Sequence, residues 1–319
     1  MIASFGKPDR SCQPRANPYR IQGPALISFS GGRTSAFMLR QIIDAHGGTL
    51  PDDVHVCFAN TGKERAETLT FVNECATRWG VKVHWLEFRS RKTSLPIHER
   101  FAEVTFGTAS RAGEPFEALI HDKQYTPNAV MRWCTAELKV RVMKWFMQSR
   151  GYKNWTNVIG LRHDEGHRVA KSRKPNKEAW SNALPMDDAK HTQRDVFDFW
   201  FGKLSIGDVV NLIRKWGAGA VAHLLPQGFD LGLFGFEGNC DGCMLKARAK
   251  LWEIERTKPG TLQWWSDMEV VGKGQFVTEY SYAELIRDVQ RQPDMFAGLL
   301  SEDTVEMDAE CGTWCAEAA

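Results

Sequence analysis

The stretch that most constrains this chain is residues 25–39, an apolar run that breaks at a Gly-Gly turn and resumes with helical periodicity. Ala25 to Phe29 is short, apolar and contains Ile27, which predicts a buried strand. Ser30-Gly31-Gly32-Arg33-Thr34-Ser35 is then a turn. A helix follows from Ser35 to about His46, burying Phe37, Met38, Leu39, Ile42 and Ile43 and ending at Gly47-Gly48. Glycines let a backbone approach a ligand closely, and the first N–H groups of a helix present the positive end of its dipole. The turn is therefore a candidate phosphate loop. It is neither a Walker A loop, which closes on Gly-Lys-Ser/Thr, nor Gly-x-Gly-x-x-Gly.

Residues 54–59 predict a second strand, ending in Asn60-Thr61-Gly62. A helix from about Glu64 to Trp79 and a third strand over 81–88 follow. Strands and helices alternating at this spacing imply right-handed crossovers and a parallel sheet, whose ligands collect beyond the strand carboxyl ends. The Ser30 and Asn60 loops share that edge. Residues 89–127 lose the pattern and read as an insertion that covers the site. A helical stripe returns at Cys134 to Ser149, and a fourth strand at Asn157 to Gly160 leads into Leu161-Arg162-His163-Asp164-Glu165. The basic segment 166–178 reads as a mobile loop. A short strand near 183–186, helices at 192–201, 205–216, 247–257 and 282–290, and a Gly- and Phe-rich loop at 228–238 complete the expectation. The chain thus divides into an arm (1–22), an α/β domain with helices on both faces of its sheet (23–200), and a helical, loop-rich region carrying cysteines (201–319).

With 43% hydrophobic and 25% charged residues the composition is that of a globular protein, and a net charge of +2 argues neither for nor against a nucleic-acid partner. No run reaches the roughly 18 apolar residues of a membrane span. The polar start, residues 1–20, lacks the apolar core of a signal peptide, so the expectation is a cytoplasmic protein. In a reducing compartment, eight cysteines point to metal or redox chemistry ahead of disulfides.

Cys240-Asp241-Gly242-Cys243 is the second anchor. A two-residue gap lets both thiolates face one metal, and Gly242 permits the tight backbone. A redox dithiol and half of a zinc or iron–sulfur site are both open. Cys134, at a helix start that stabilises a thiolate, is the best further ligand, and Cys311 and Cys315 complete a possible set. Cys57, in a strand, Cys75, in a helix, and Cys12, in the arm, read as packing or tail residues. His163 and His167 read as solvated, and Trp264-Trp265 has no evident role.

These motifs, in this order, resemble the sulfonucleotide (PAPS/APS) reductases of the PP-loop ATP pyrophosphatase superfamily. The resemblance rests on residues 28–35 from Ser28 through Ser35, residues 58–62 with Glu67-Thr68, residues 160–165, Cys134 before a basic helix, Cys240-x-x-Cys243, and Glu310-Cys311-Gly312. It implies a Rossmann-like sheet of the adenine nucleotide alpha hydrolase type. Ser28, Ser30, Gly31, Gly32, Arg33, Thr34 and Ser35 would hold phosphate or sulfate, with Asn60, Thr61 and Gly62 near the adenosine. Arg162 would grip the anionic end, supported by Asp164 and Glu165, which either position it or bind Mg2+. Cys134, Cys240 and Cys243 would ligate a 4Fe-4S cluster, Cys315 being a candidate fourth ligand. Cys311 would attack the sulfur of PAPS or APS, and a thioredoxin-like reductant would release sulfite.

The departures define the alternatives. Trp133 stands where the iron–sulfur reductases have the first of two adjacent cysteines, so that the fourth ligand would fall to Cys315 or Cys311, and Arg33-Thr34 replaces the Lys-Asp of typical ATP pyrophosphatases. Three cysteines with an open iron would suit ATP-dependent adenylation and sulfur transfer to nucleic acid, with the basic segment holding the acceptor. A non-enzymatic nucleotide-binding protein with a structural zinc at Cys134, Cys240 and Cys243 is the third reading.

Overall fold

The computed structural model describes residues 17–229, 238, 240–292 and 295. In chain order, β1 (Ala25–Ser28), α1 (Arg33–Ala45), β2 (Val54–Asn60), α2 (Ala66–Arg78) and β3 (Val83–Phe88) alternate as the periodicity predicts. The segment read as an irregular insertion instead contains β4 (Phe101–Val104) and α3 (Glu114–Lys123). β4 pairs antiparallel with β3, so β3 is flanked on that side by a short charged strand rather than left as an edge. A π-helical segment, Thr135–Arg141, runs directly into α4 (Val142–Ser149), where a regular helix was expected. π-turns inside helices are frequent at functional sites.

β5 (Trp155–Val158), α5 (Gly166–Ser172) and β6 (Trp180–Ala183) come next. Two expectations are corrected here. The basic segment is helical over 166–172, tied down by Arg168 to Glu165, by Arg173 to Asp187 and Asp188, and by His163 Nδ1, 2.7 Å from Asp187 Oδ1. The late strand precedes the predicted one and is followed by a helical turn, α6 (Pro185–Asp188). The remaining helices are α7 (Gln193–Phe201), α8 (Ile206–Trp216), α9 (Ala218–Val221), α10 (Arg248–Thr257), α11 (Gln263–Val271) and α12 (Tyr282–Arg291). α11 contains the Trp264-Trp265 pair and had no counterpart in the sequence reading.

The six strands order as β4-β3-β2-β1-β5-β6, parallel except for β4. Both faces are apolar because side chains alternate along each strand. Ala25, Ile27, Val54, Val56 and Phe58 pack with α1, α2 and α7 on one face. Leu26, Cys57, Leu86 and Phe88 pack with α3, the π-segment, α4 and the C-terminal helices on the other. α10 to α12 therefore share one core with the sheet. Tyr19 and Ile21, at the end of the predicted arm, are also buried in the core, and Tyr19 Oη is 2.6 Å from His191 Nδ1. Among the described residues no helix is long and apolar enough to cross a membrane.

At the amino edge of the sheet His55 and His84 face each other, ring centroids 5.5 Å apart, with His84 Nδ1 2.5 Å from Glu103 Oε1. Burial, more than the neighbouring charges of His84 and Arg150, pulls His55 below its ordinary pKa, and burial outweighs the Glu103 hydrogen bond at His84. The unfolded chain therefore binds these protons more readily than the folded one. Their contribution to stability is complete above the ordinary histidine pKa of 6.5 and is lost as pH falls through that value toward the lower folded one. Urea unfolding midpoints should fall between about pH 7 and pH 5. The fall should be smaller in a His55→Asn/His84→Gln variant; equal pH dependence in both proteins would contradict the assignment.

Candidate functional site

The strand order reverses at β1: the chain steps from β1 to β2 and β3 on one side and returns to β5 and β6 on the other. Connections from the ends of β1 and β5 diverge and leave a crevice at the carboxyl edge, the usual ligand position in such sheets. The Ser30 loop and the Leu161–Glu165 turn meet there. Gly160 packs on the Ser35 backbone, a Cβ at Gly160 lying 3.5 Å from Ser35 Cα. Arg162 Nη1 is 3.4 Å from Thr34 Oγ1, so residues 128 apart in sequence are brought together.

The loop is held in shape by its own hydroxyls. Ser35 Oγ donates to the Gly32 carbonyl at 2.9 Å, lies 2.9 Å from Ser30 Oγ and accepts from the Ser30 N–H at 3.2 Å. Gly31 sits at φ +80°, against Thr68, Val72 and Phe58. Trp200 Nε1 donates to the Arg33 carbonyl at 3.0 Å, while the Arg33 guanidinium stacks over Phe201 at 5.2 Å. α1 has neither a side-chain cap nor an acid in its first turn, so its own first turn sets no negative charge against an anion. Arg162 is aimed by Asp164, whose Oδ1 accepts from Nε at 3.1 Å, and Glu165 accepts the Arg162 backbone N–H at 2.9 Å. Asp164 Oδ2 also accepts the Gln193 N–H at 3.1 Å, tying α7 to the crevice.

The Asn60 loop lies on the same edge, but its side chains face elsewhere. Asn60 Nδ2 donates to Glu87 and to the Ser110 carbonyl, and its Oδ1 accepts from the Gly62 N–H. Its amide is committed to the scaffold. Thr61 donates N–H and Oγ–H to Glu64 Oε2, each at 2.9 Å, and its Oγ1 is 3.4 Å from Cys240 Sγ. Thr61 therefore connects the carboxyl edge of the sheet to the cysteine turn.

That turn is built to close tolerance. The Cys243 N–H donates to the Cys240 carbonyl at 3.2 Å, and a Cβ on Gly242 would sit 2.4 Å from the Trp265 ring. Asp241 Oδ1 accepts from Trp265 Nε1 at 2.7 Å, and Tyr282 Oη donates to the Gly242 carbonyl at 2.6 Å. Lys246 Nζ donates to the Gly238 and Cys240 carbonyls, and Lys63 pairs with Asp241 at 3.2 Å. Glu64, Lys139, Lys246, Trp265 and Tyr282 are the residues that sequence reasoning missed. The tryptophan pair was their visible signal, without a partner to interpret it.

Burial, with Glu64 adding to it and Lys139 opposing, pushes the Cys240 thiol well above its ordinary pKa. A metal would have to take the proton's place for Cys240 to stand there as a thiolate. Lys63, Lys139 and Lys246 are buried, and Asp241 and Glu64 lie against the first two at 3.2 and 3.9 Å. Lys246 hydrogen-bonds carbonyl oxygens, and burial pulls it below the ordinary lysine pKa. A buried ammonium costs several kcal/mol unless an anion offsets it, which a ligating thiolate would do. Among the described residues no three His, Cys, Asp or Glu side chains converge as a metal-binding group. Cys134 precedes the π-segment and is partly buried against the same core as Cys240 and Cys243. Cys12, Cys311 and Cys315 lie outside the described residues.

No family model matches the chain. It is 31% identical over 148 residues to an uncharacterized nin region protein, ORF290, of Escherichia phage lambda, covering 45% of this chain and 50% of that protein. It is 25% identical over 172 residues to an uncharacterized protein, MJ0066, of Methanocaldococcus jannaschii, covering 52% of this chain and 29% of that protein. The chain spans half or less of the curated relatives it matches.

Two glycines at positive φ separate the loop's two constraints. Gly47, at φ +70°, has nothing within 4 Å of an added Cβ, whereas at Gly31 Thr68 Cγ2 would be 2.9 Å away. Gly47→Ala should cost about 1 kcal/mol from the left-handed backbone alone, and Gly31→Ala about 2–4 kcal/mol, because the clash adds to it. Equal losses in thermal or urea denaturation would contradict the packing described for the loop.

Proposed function

We propose that the chain is an adenine-nucleotide enzyme of the PP-loop ATP pyrophosphatase superfamily, sulfonucleotide-reductase-like, with a sheet of the adenine nucleotide alpha hydrolase type. The observation that carries this reading is the meeting of Arg162 with Thr34 at 3.4 Å above the crevice between β1 and β5. An arginine beside an uncapped helix start and a positive-φ glycine suits a phosphate or sulfate group.

In this reading the loop N–H groups, with Ser30, Thr34 and Ser35, hold the phosphate–sulfate end, and Asp164 and Glu165 keep Arg162 directed at it. Mg2+ at those two carboxylates is the form the site takes if ATP is the nucleotide. The Cys311 thiolate attacks the sulfonate sulfur: an S–S bond forms, the S–O bond to the nucleotide phosphate breaks, and the nucleotide leaves with the electron pair. A thiol of a thioredoxin-like reductant then attacks Cys311 Sγ, releasing sulfite and leaving a mixed disulfide that its second thiol resolves. Cys134, Cys240 and Cys243 would hold a 4Fe-4S cluster. When bound, the cluster would supply a redox-active charge centre beside the edge occupied by Thr61.

One observation favours a second reaction on the same fold. Trp133 is buried against Phe116 and Tyr125, ring centroids 6.0 and 5.9 Å away, where a two-cysteine motif would place a thiol. A cluster held by three cysteines with an open iron would suit adenylation by ATP followed by sulfur transfer.

Calorimetry with APS, PAPS and ATP separates these readings. The chain should bind at least one of them, and Arg162→Ala should weaken binding roughly ten- to hundredfold, the value of a charge-assisted contact of about 1.5–3 kcal/mol. Cys311→Ser should abolish sulfite release while leaving nucleotide affinity intact. Binding of none of the three, or equal affinity in Arg162→Ala, would overturn the site. Full sulfite release by Cys311→Ser would overturn the reductase chemistry alone.

A further inference from the structure

Two of the threonines in α2 are exposed and hydrogen-bond within the helix. Thr70 Oγ1 donates to the Ala66 carbonyl at 3.0 Å and Thr77 Oγ1 to the Asn73 carbonyl at 2.9 Å. The third, Thr68, is 4% exposed, and its hydroxyl oxygen is buried without a hydrogen-bond partner among the described residues. Helix α2 cannot serve it, because Glu64, four residues back, precedes the helix. An unpaired buried hydroxyl is rare in folded proteins and calls for a physical reason. Its surroundings supply one. A Cβ added at Gly31 would meet Thr68 Cγ2 at 2.9 Å, so the methyl that shares a carbon with this hydroxyl lies against the turn of the Ser30–Ser35 loop. Val72 and Phe58 also face Gly31 there, and of these three residues only Thr68 has a polar side chain.

We propose that Thr68 is a positioning residue for the anion-bound loop, its hydroxyl donating to the Gly31 carbonyl when the Gly32 N–H is turned to a phosphate or sulfate. Across a trans peptide the N–H and the carbonyl point in opposite directions. An N–H of the Gly31–Gly32 peptide aimed at an anion in the crevice therefore sends its carbonyl the other way, into the core beside α2. A carbonyl turned into a core needs a donor, and Thr68 is a donor that lacks an acceptor. The two needs match. Glycine on both sides of the peptide leaves it free to rotate, and Gly31 already holds φ +80°. The Gly32 carbonyl is committed elsewhere, accepting from Ser35 Oγ and from the Ala36 N–H at 3.0 Å, which fixes the following peptide while this one turns. The inference rests on the anion reading of the loop and adds a residue of α2, outside the loop, that sets its affinity.

Calorimetry on the full chain with APS, PAPS, ATP and inorganic pyrophosphate, beside urea unfolding without ligand, tests it. Thr68→Val keeps the shape of the side chain and removes the hydroxyl. It should bind these ligands about three- to tenfold more weakly, the worth of one net hydrogen bond. Without ligand it should unfold at the same urea concentration as the wild type or a higher one, because the hydroxyl it lacks was unpaired. Thr68→Ser should restore the affinity, and Thr70→Val, at a threonine already paired, should leave it unchanged. If the wild type binds none of the four ligands, the anion reading fails and the inference falls with it. If ligands bind and Thr68→Val holds them as tightly as the wild type, the inference alone is overturned. A lower urea midpoint for unliganded Thr68→Val also overturns the inference alone, since the hydroxyl would then serve the free fold.

Discussion

The reversal of strand order at β1 is the constraint on which the rest of the structure depends. Parallel strands joined by right-handed crossovers must place their helices on one face while the chain steps one way and on the other face when it returns. The step outward puts α1 and α2 against Ile27, Val56 and Phe58; the return puts α3 and α4 against Leu26, Cys57 and Phe88. Between β1 and β5 the connections part, leaving a crevice at the carboxyl ends of these strands. The Gly31 turn, the start of α1 and the Arg162 turn are therefore brought to one place by topology, before any side chain is considered.

From that edge the polar network runs outward rather than ending at the loop. Glu64 takes two hydrogen bonds from Thr61 and lies 3.9 Å from Lys139, and Thr61 touches the Cys240 sulfur. A carboxylate and several lysines buried at a thiol turn are unfavourable as isolated ions and tolerable only as a balanced set. The fixed geometry of this set, backed by Trp265 and Tyr282, holds Cys240 and Cys243 in one orientation relative to the carboxyl end of β2.

The first half of the fold was legible because its signals are local. The short apolar strands and the amphipathic α1 and α2 each bury apolar residues that the sequence displays directly, and Gly31-Gly32 marks the turn between β1 and α1. β4 was not legible: Phe101-Ala-Glu-Val104 is short and mixed, and it is a strand because β3 offers an edge to pair with. Helix α5 was hidden in a run of charges, since its stability comes from Asp187 and Glu165, which lie outside the basic run. At the site, Arg162, Thr34 and the cysteine pair were recognisable as residue types in sequence context. Asn60 was read as a ligand contact, yet its amide is committed to Glu87 and Ser110, partners 27 and 50 residues away. The set of Lys63, Lys139 and Lys246 was invisible for the same reason, because charge balance in a core is a property of three-dimensional neighbours.

The central claim is that one adenine nucleotide binds across the crevice between β1 and β5, between the Ser30 loop and Arg162. Amide hydrogen exchange by mass spectrometry, with and without saturating APS, PAPS or ATP, addresses it most directly. At least one nucleotide should slow exchange in residues 29–36 and 160–165 together, with the amino edge of the sheet around His55 and His84 unchanged. Protection confined to other segments, or none at saturation with any of the three, would contradict the account.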